Sequence, residues 1–146
     1  MNILLFDLEN GSKTLGNHAD IQKEFGMPVL SPSTFSQFEN TIGQLFSTVK
    51  EKVPIKVGNL EIEEERNVVK LRDPDTKIGA VVIDTVSELS NKYQRTLLDK
   101  QGVMKLQSWG KLKNKLDGML EYVTRLPGIV ICNCHGKVQT MDTGDN

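Results

Sequence analysis

The sequence predicts an α/β protein in three layers, α/β/α, built on a mainly parallel sheet, with a small β excursion near residues 55–71. Three observations predict it. Short apolar runs at residues 3–6, 78–83 and 129–134 are bounded by turn signals, as buried strands are. The stretches between them carry helical spacing, and helical crossovers between apolar strands call for a parallel sheet covered on both faces. Each apolar run also ends on a residue able to do chemistry: Asp7 with Glu9, then Asp84, then His135. In open parallel sheets, ligands collect at the carboxyl ends of the strands.

The first strand stops at Asp7-Leu8-Glu9-Asn10-Gly11, which is loop chemistry. Residues 14–25 suit a short helix, ended by Gly26 and Pro28. Val29 and Leu30 lead into Ser31-Pro32-Ser33. Ser33 or Thr34 can cap a helix running through Lys52, with Phe35, Phe38, Ile42, Leu45, Phe46 and Val49 on one apolar face. Pro54 ends it. Residues 55–71 alternate in part, and Gly58-Asn59 suits a hairpin turn. The acidic run 61–65 reads as a solvated face. The strand at 78–83 delivers Asp84, and a helix follows within 85–100, broken by Gly102. Residues 106–126 form an amphipathic helix: Leu112, Leu116, Met119, Leu120 and Val123 share one face, opposite Lys111, Lys113, Lys115 and Glu121. Pro127-Gly128 stops it before the last strand.

The chain has 146 residues, enough for one domain with one core. Its composition, 38% hydrophobic and 25% charged, is that of an ordinary soluble protein. A formal charge of -1 offers no bulk attraction for nucleic acid. No apolar run is long enough to span a bilayer, and the first residues lack the pattern of a secretion signal. Cys132 and Cys134 sit too close for a long-range disulfide framework, which suits a reducing cytoplasm. They read as buried thiols rather than as zinc ligands with His135. His18 reads as a surface residue and Trp109 as a packing anchor.

An apolar strand that presents one carboxylate, Ala80-Val81-Val82-Ile83-Asp84, is the arrangement by which P-loop ATPases hold Mg²⁺ through water. The order of the other motifs extends the likeness. Asp7-Leu8-Glu9 ends the preceding strand, Thr85-Val86-Ser87 follows Asp84, Trp109-Gly110 lies in the long helix, and Cys132-Asn133-Cys134-His135 ends the last strand. In this order the chain resembles the RecA-like P-loop ATPases, especially a group of phage nucleotide-binding proteins linked to recombination. The resemblance covers nearly the whole chain and implies one partial RecA-like nucleotide-binding domain over 1–146, acting in the cytoplasm, that of the host if the chain is phage-encoded. It implies ATP and Mg²⁺ as cofactors. By the same resemblance Glu9 orients or deprotonates the lytic water and Asp84 holds Mg²⁺ through water with Thr85 beside it. His135 would sense the γ-phosphate. Single-stranded DNA and recombination proteins are the implied partners, with the lysines of 105–115 a candidate contact; a solvated helix face is the plainer reading of those lysines.

The chain departs from the family in one respect. The phosphate-binding loop G-x-x-x-x-G-K-[ST] should precede the Asp7-Leu8-Glu9 strand, and no such segment stands there. Gly11-Ser12-Lys13-Thr14 is an alternative loop, but Lys13 is preceded by Ser12 and, six residues back, by Asp7 instead of glycines. Without the strand that carries the loop, the strand at 129–134 keeps an open apolar edge. The expectation is a longer reading frame, or a cover supplied by the β excursion, a second subunit or a partner. A RecA-like subunit that binds or regulates without catalysis shares these motifs and explains the missing loop most simply. A third reading is a haloacid-dehalogenase-like phosphatase, with Asp7 as nucleophile, Glu9 in place of its acid–base partner and Gly144-Asp145 as a later acidic motif.

Overall fold

The computed structural model describes residues 2–11 and 16–136. Its elements run β1 (Asn2–Asp7), α1 (His18–Phe25), β2 (Val29–Leu30), α2 (Phe35–Leu45), β3 (Phe46–Val57), β4 (Leu60–Leu71), β5 (Ile78–Asp84), α3 (Val86–Leu97), α4 (Leu106–Val123) and β6 (Ile129–Asn133). Strands β2-β1-β5-β6 form a parallel sheet, and β3 and β4 form a separate antiparallel ribbon. The α/β class, the mainly parallel sheet and the β excursion expected from sequence are all present.

Alternation along the strands divides the sheet into two faces. Leu4, Phe6, Val81 and Ile83 are buried on one, in a cluster with Phe35, Phe38 and Ile42 of α2, Val86 and Leu89 of α3, and Met119 and Val123 of α4. Phe38 is fully buried and meets Phe6 edge-on at 5.0 Å, while Phe35 lies 5.0 Å from Tyr93. Ile3, Leu5 and Val82 point the other way and are half-buried. α1 lies beside β2 and buries Ile21 outside that cluster.

Local signals set the helix ends. Asn17, Thr34 and Thr85 each cap a helix, accepting from the backbone N–H three residues on. Gly26 closes α1 at φ 62°, the left-handed position that glycine adopts without a Cβ penalty.

Two expectations change. The helix from Thr34 does not reach Lys52; it stops at Leu45, and Phe46 opens a twelve-residue strand. Thr48, Val49, Val53 and Ile55 are β-branched and favour extended backbone, and Phe46 is buried in either geometry. Pro54 therefore sits within an edge strand, where its missing N–H faces no partner. Second, Val29 and Leu30 add a fourth sheet strand, paired to Leu5 and Phe6.

β6 is held close to β5 by Gly128. Its φ is 84°, and a Cβ there would stand 2.7 Å from the carbonyl oxygen of Gly79. Both the backbone angle and the close approach require glycine. Gly128→Ala should lower stability by about 1–3 kcal/mol from backbone strain alone. A urea unfolding midpoint equal to that of the parent chain would refute this.

Candidate functional site

The register of the sheet places three strand ends at one level: Asp7 is paired with Asp84, and Asp84 with Asn133. The pairing continues one step into the loop, where the Leu8 N–H donates to the Asp84 carbonyl at 2.7 Å. The chain beyond β1 then turns across the ends of β5 and β6. Asn10 turns at φ 57°, a conformation that asparagine tolerates. The Asp84–Thr85 peptide bond is cis.

Glu9 is the meeting point. Its Oε1 accepts from the Thr85 hydroxyl at 2.9 Å and lies 2.6 Å from His135 Nε2. A carboxylate only accepts, so that ring nitrogen carries the proton. The two bonds, first His135 and then Thr85, hold the Glu9 carboxyl below its ordinary value of 4.5, aided by the imidazole's charge. Desolvation and the nearby Asp7 carboxylate oppose the shift. Thr85 serves two purposes, because its Oγ1 also accepts from the Glu88 N–H as the cap of α3.

The other end residues are tied in around this centre. Asn133 Nδ2 lies 3.3 Å from Asp84 Oδ1. The His135 N–H donates to Ser87 Oγ at 2.8 Å, which anchors the segment after β6 to the first turn of α3. Asp7 is buried at 2% exposure, and its Oδ1 accepts from the Gly11 N–H at 3.0 Å.

All four residues singled out from the sequence, Glu9, Asp84, Thr85 and His135, thus lie at the carboxyl edge of the sheet. Glu9, Thr85 and His135 touch. Asp84 stands at the same edge with Asn133. Sequence reasoning missed Asn133 and Ser87 as partners. Their only signal was position, one at the last residue of a strand and one in the first turn of the following helix.

A family model described as an AAA domain matches residues 1–146. The chain belongs to the AAA domain family. No curated protein and no solved structure matches it. Membership makes it an AAA-type nucleotide-binding domain, a class that generally uses Mg²⁺.

The donors at the edge of this AAA domain fit such an ion in one way only. Among the described residues no three His, Cys, Asp or Glu side chains gather to form a metal cage. Asp84 offers a single, partly accessible carboxylate. Mg²⁺ asks for little more than one or two carboxylates when phosphate and water complete its shell. A zinc site on Cys132, Cys134 and His135 is not formed. Both thiols are exposed rather than buried, because β6 is the edge of the sheet, though partial desolvation and Cys134 raise the Cys132 thiol. Trp109, expected to anchor packing, is half exposed. No helix among the described residues is long and apolar enough to cross a membrane. Asp7, the nucleophile of the phosphatase reading, is buried and accepts from the Gly11 N–H; Gly144 and Asp145 lie outside the described residues.

The Glu9 contacts give a pH dependence with a definite sign. A carboxyl held low in the folded chain stabilises it above pH 4.5, and that contribution is lost as pH falls through the lower folded value. Titration of the Glu9 side-chain carbon by NMR should give a midpoint below 4.5, and Thr85→Ala should move it upward. A midpoint at or above 4.5 in the parent chain would contradict these hydrogen bonds.

Proposed function

We propose that this AAA domain is the ATP-binding, RecA-like core of a phage-type recombination or DNA-metabolism ATPase, carrying the Walker B and catalytic-glutamate half of the site. The observation that supports it most is the contact of Glu9 with both Thr85 and His135, which joins the three strand ends beside Asp84. In this reading Asp84 holds Mg²⁺ through water, and the ion, when bound, neutralises phosphate charge. Thr85 keeps the helix start and the Glu9 carboxylate in place. Glu9 aligns the attacking water. His135, seated on Glu9 and on Ser87, reports on the γ-phosphate through the segment after β6.

The phosphate loop is the missing half. No G-x-x-x-x-G-K-[ST] occurs in the 146 residues. In the alternative loop, the Gly11 N–H serves Asp7 in place of a phosphate, and residues 12–14 lie outside the described residues. The resemblance implies a strand bearing the loop beside the strand that ends in His135. Among the described residues β5 pairs with one side of β6 and no strand with the other, and Ile129 and Ile131 are 61% and 46% exposed. We assign the phosphate loop to a segment that pairs along this edge.

The second reading is a binding or regulatory subunit without catalysis, favoured by the lack of any G-x-x-x-x-G-K-[ST] in the sequence. A general base works best with a pKa near the working pH, and the Glu9 carboxyl is held low. That suits a residue that orients water, or one that fixes His135, better than one that removes a proton.

Mg-ATP titration followed by backbone amide shifts separates these readings. The ATPase reading expects perturbation at Glu9, Asp84, Thr85 and His135. With hydrolysis measurable, Glu9→Gln should lower kcat by about 10²–10⁴-fold and leave ATP affinity within about twofold. Unchanged hydrolysis would remove Glu9 from its role. Absent or millimolar binding would favour the non-catalytic subunit.

A further inference from the structure

The ribbon of β3 and β4 carries an apolar face that is left uncovered among the described residues. Its register pairs run from Phe46 with Leu71 at the base to Val57 with Leu60 at the tip. Alternation puts Phe46, Val69 and Leu71 on the side facing the core, where they pack with the main cluster. Farther out, that same side bears lysines on β3 and glutamates on β4, such as Lys56 opposite Glu61 and Lys52 opposite Glu65, and these are exposed. The opposite side carries Val49 with Val68, Val53, Ile55 with Ile62, and Val57 with Leu60. Val57, Leu60 and Ile62 are 58%, 70% and 51% exposed. An isolated two-stranded ribbon is marginal in water, and this one spends its apolar residues on the side turned away from its own core.

The edges of the ribbon are guarded, and the face is not. Pro54 withholds an N–H from the outer edge of β3. Antiparallel addition of β4 to a second β4 would set the glutamates of 61–65 against each other. Basic and acidic residues balance over 46–71, so the ribbon offers no net attraction for a polyanion. What remains is packing of the face against another apolar sheet surface.

We infer that this face is a dimer interface between two copies of the chain, with a two-fold axis running along the ribbon. Such an axis lays β3 of one copy over β4 of the other at the same level. Every residue then stacks on the residue it is already paired with in register: Val49 on Val68, Ile55 on Ile62, Val57 on Leu60, and Glu51 on Arg66. Three of the six levels bring apolar onto apolar and Glu51 on Arg66 brings opposite signs together, while Val53 falls on Glu64 and Ser47 on Lys70. The remaining charges on this face are already matched within the chain, Arg66 to Glu64 at 3.0 Å and Lys70 to Glu51. Phe46, Val69 and Leu71 pack with the core on the side of each ribbon opposite to this face. The inference stands on the ribbon alone and is independent of the nucleotide reading.

Sedimentation of the whole chain under reducing conditions tests it, with the reductant excluding links through Cys132 and Cys134. A concentration-dependent dimer is expected at micromolar concentration. Ile62→Glu should weaken it by about tenfold or more, because an exposed apolar position is replaced without touching the core. Glu63→Lys, on the opposite side of the same strand, should leave it intact, and matching thermal melts would show that both variants fold. A monomeric parent chain would overturn the inference. So would a dimer indifferent to Ile62→Glu, or one lost equally on Glu63→Lys.

Discussion

The level pairing of Asp7, Asp84 and Asn133 is the constraint on which the rest of the site depends. Parallel strands joined by helices all point their carboxyl ends the same way, but nothing in that topology makes them stop together. Here the register does so, and the Leu8 N–H bonded to the Asp84 carbonyl carries it one residue past the strands. From that point Glu9 has only a short path to Thr85, and His135 reaches it from the third strand. A slip of one residue in β6 would turn its side chains to the other face and separate His135 from Glu9. Gly128 matters for this reason, since it lets the chain enter β6 close against Gly79.

Three carboxylates at one sheet edge repel each other, and each is given its own partners. Asp7 is served by the Gly11 backbone, Glu9 by Thr85 and His135, and Asp84 by Asn133. Asp7 and Glu9 are engaged by groups of the loop and of the neighbouring strand ends. Asp84 has the longest of these bonds, 3.3 Å, and stays partly accessible. By bond length Asp84 is the least firmly held of the three, while Glu9 is fixed in direction by two bonds. Two acids at one sheet edge are thereby held differently by their neighbours.

Much of this was legible in the sequence because strand ends announce themselves. An apolar run cut off by Asp7, Asp84 or His135 marks both the strand and the residue it delivers. The contacts among them were not legible, since Asn133 and Ser87 act through register and through the first turn of a helix, which spacing does not record. The end of α2 was hidden for another reason. Phe35, Phe38, Ile42, Phe46 and Val49 fit a helical face, and only the β-branched residues that follow favour an extended chain. Cys132 and Cys134 were misread as buried because an apolar run looks the same in the middle of a sheet and at its edge.

That last ambiguity bears on two exposed apolar surfaces among the described residues, the ribbon face and β6. The ribbon protects its edges with Pro54 and the glutamates of β4 and leaves a face bare, which suits stacking against another sheet. β6 is the reverse case. From Ile129 to Asn133 it carries no proline and no charge, and its outer backbone groups have no strand beside them among the described residues. An unguarded edge of this kind is suited to pairing with one more strand. A strand added there would run past Asn133 toward the same edge as Glu9 and Asp84. The sheet can therefore be extended beyond β6, and extension would need no change in the register that holds Glu9, Thr85 and His135 together.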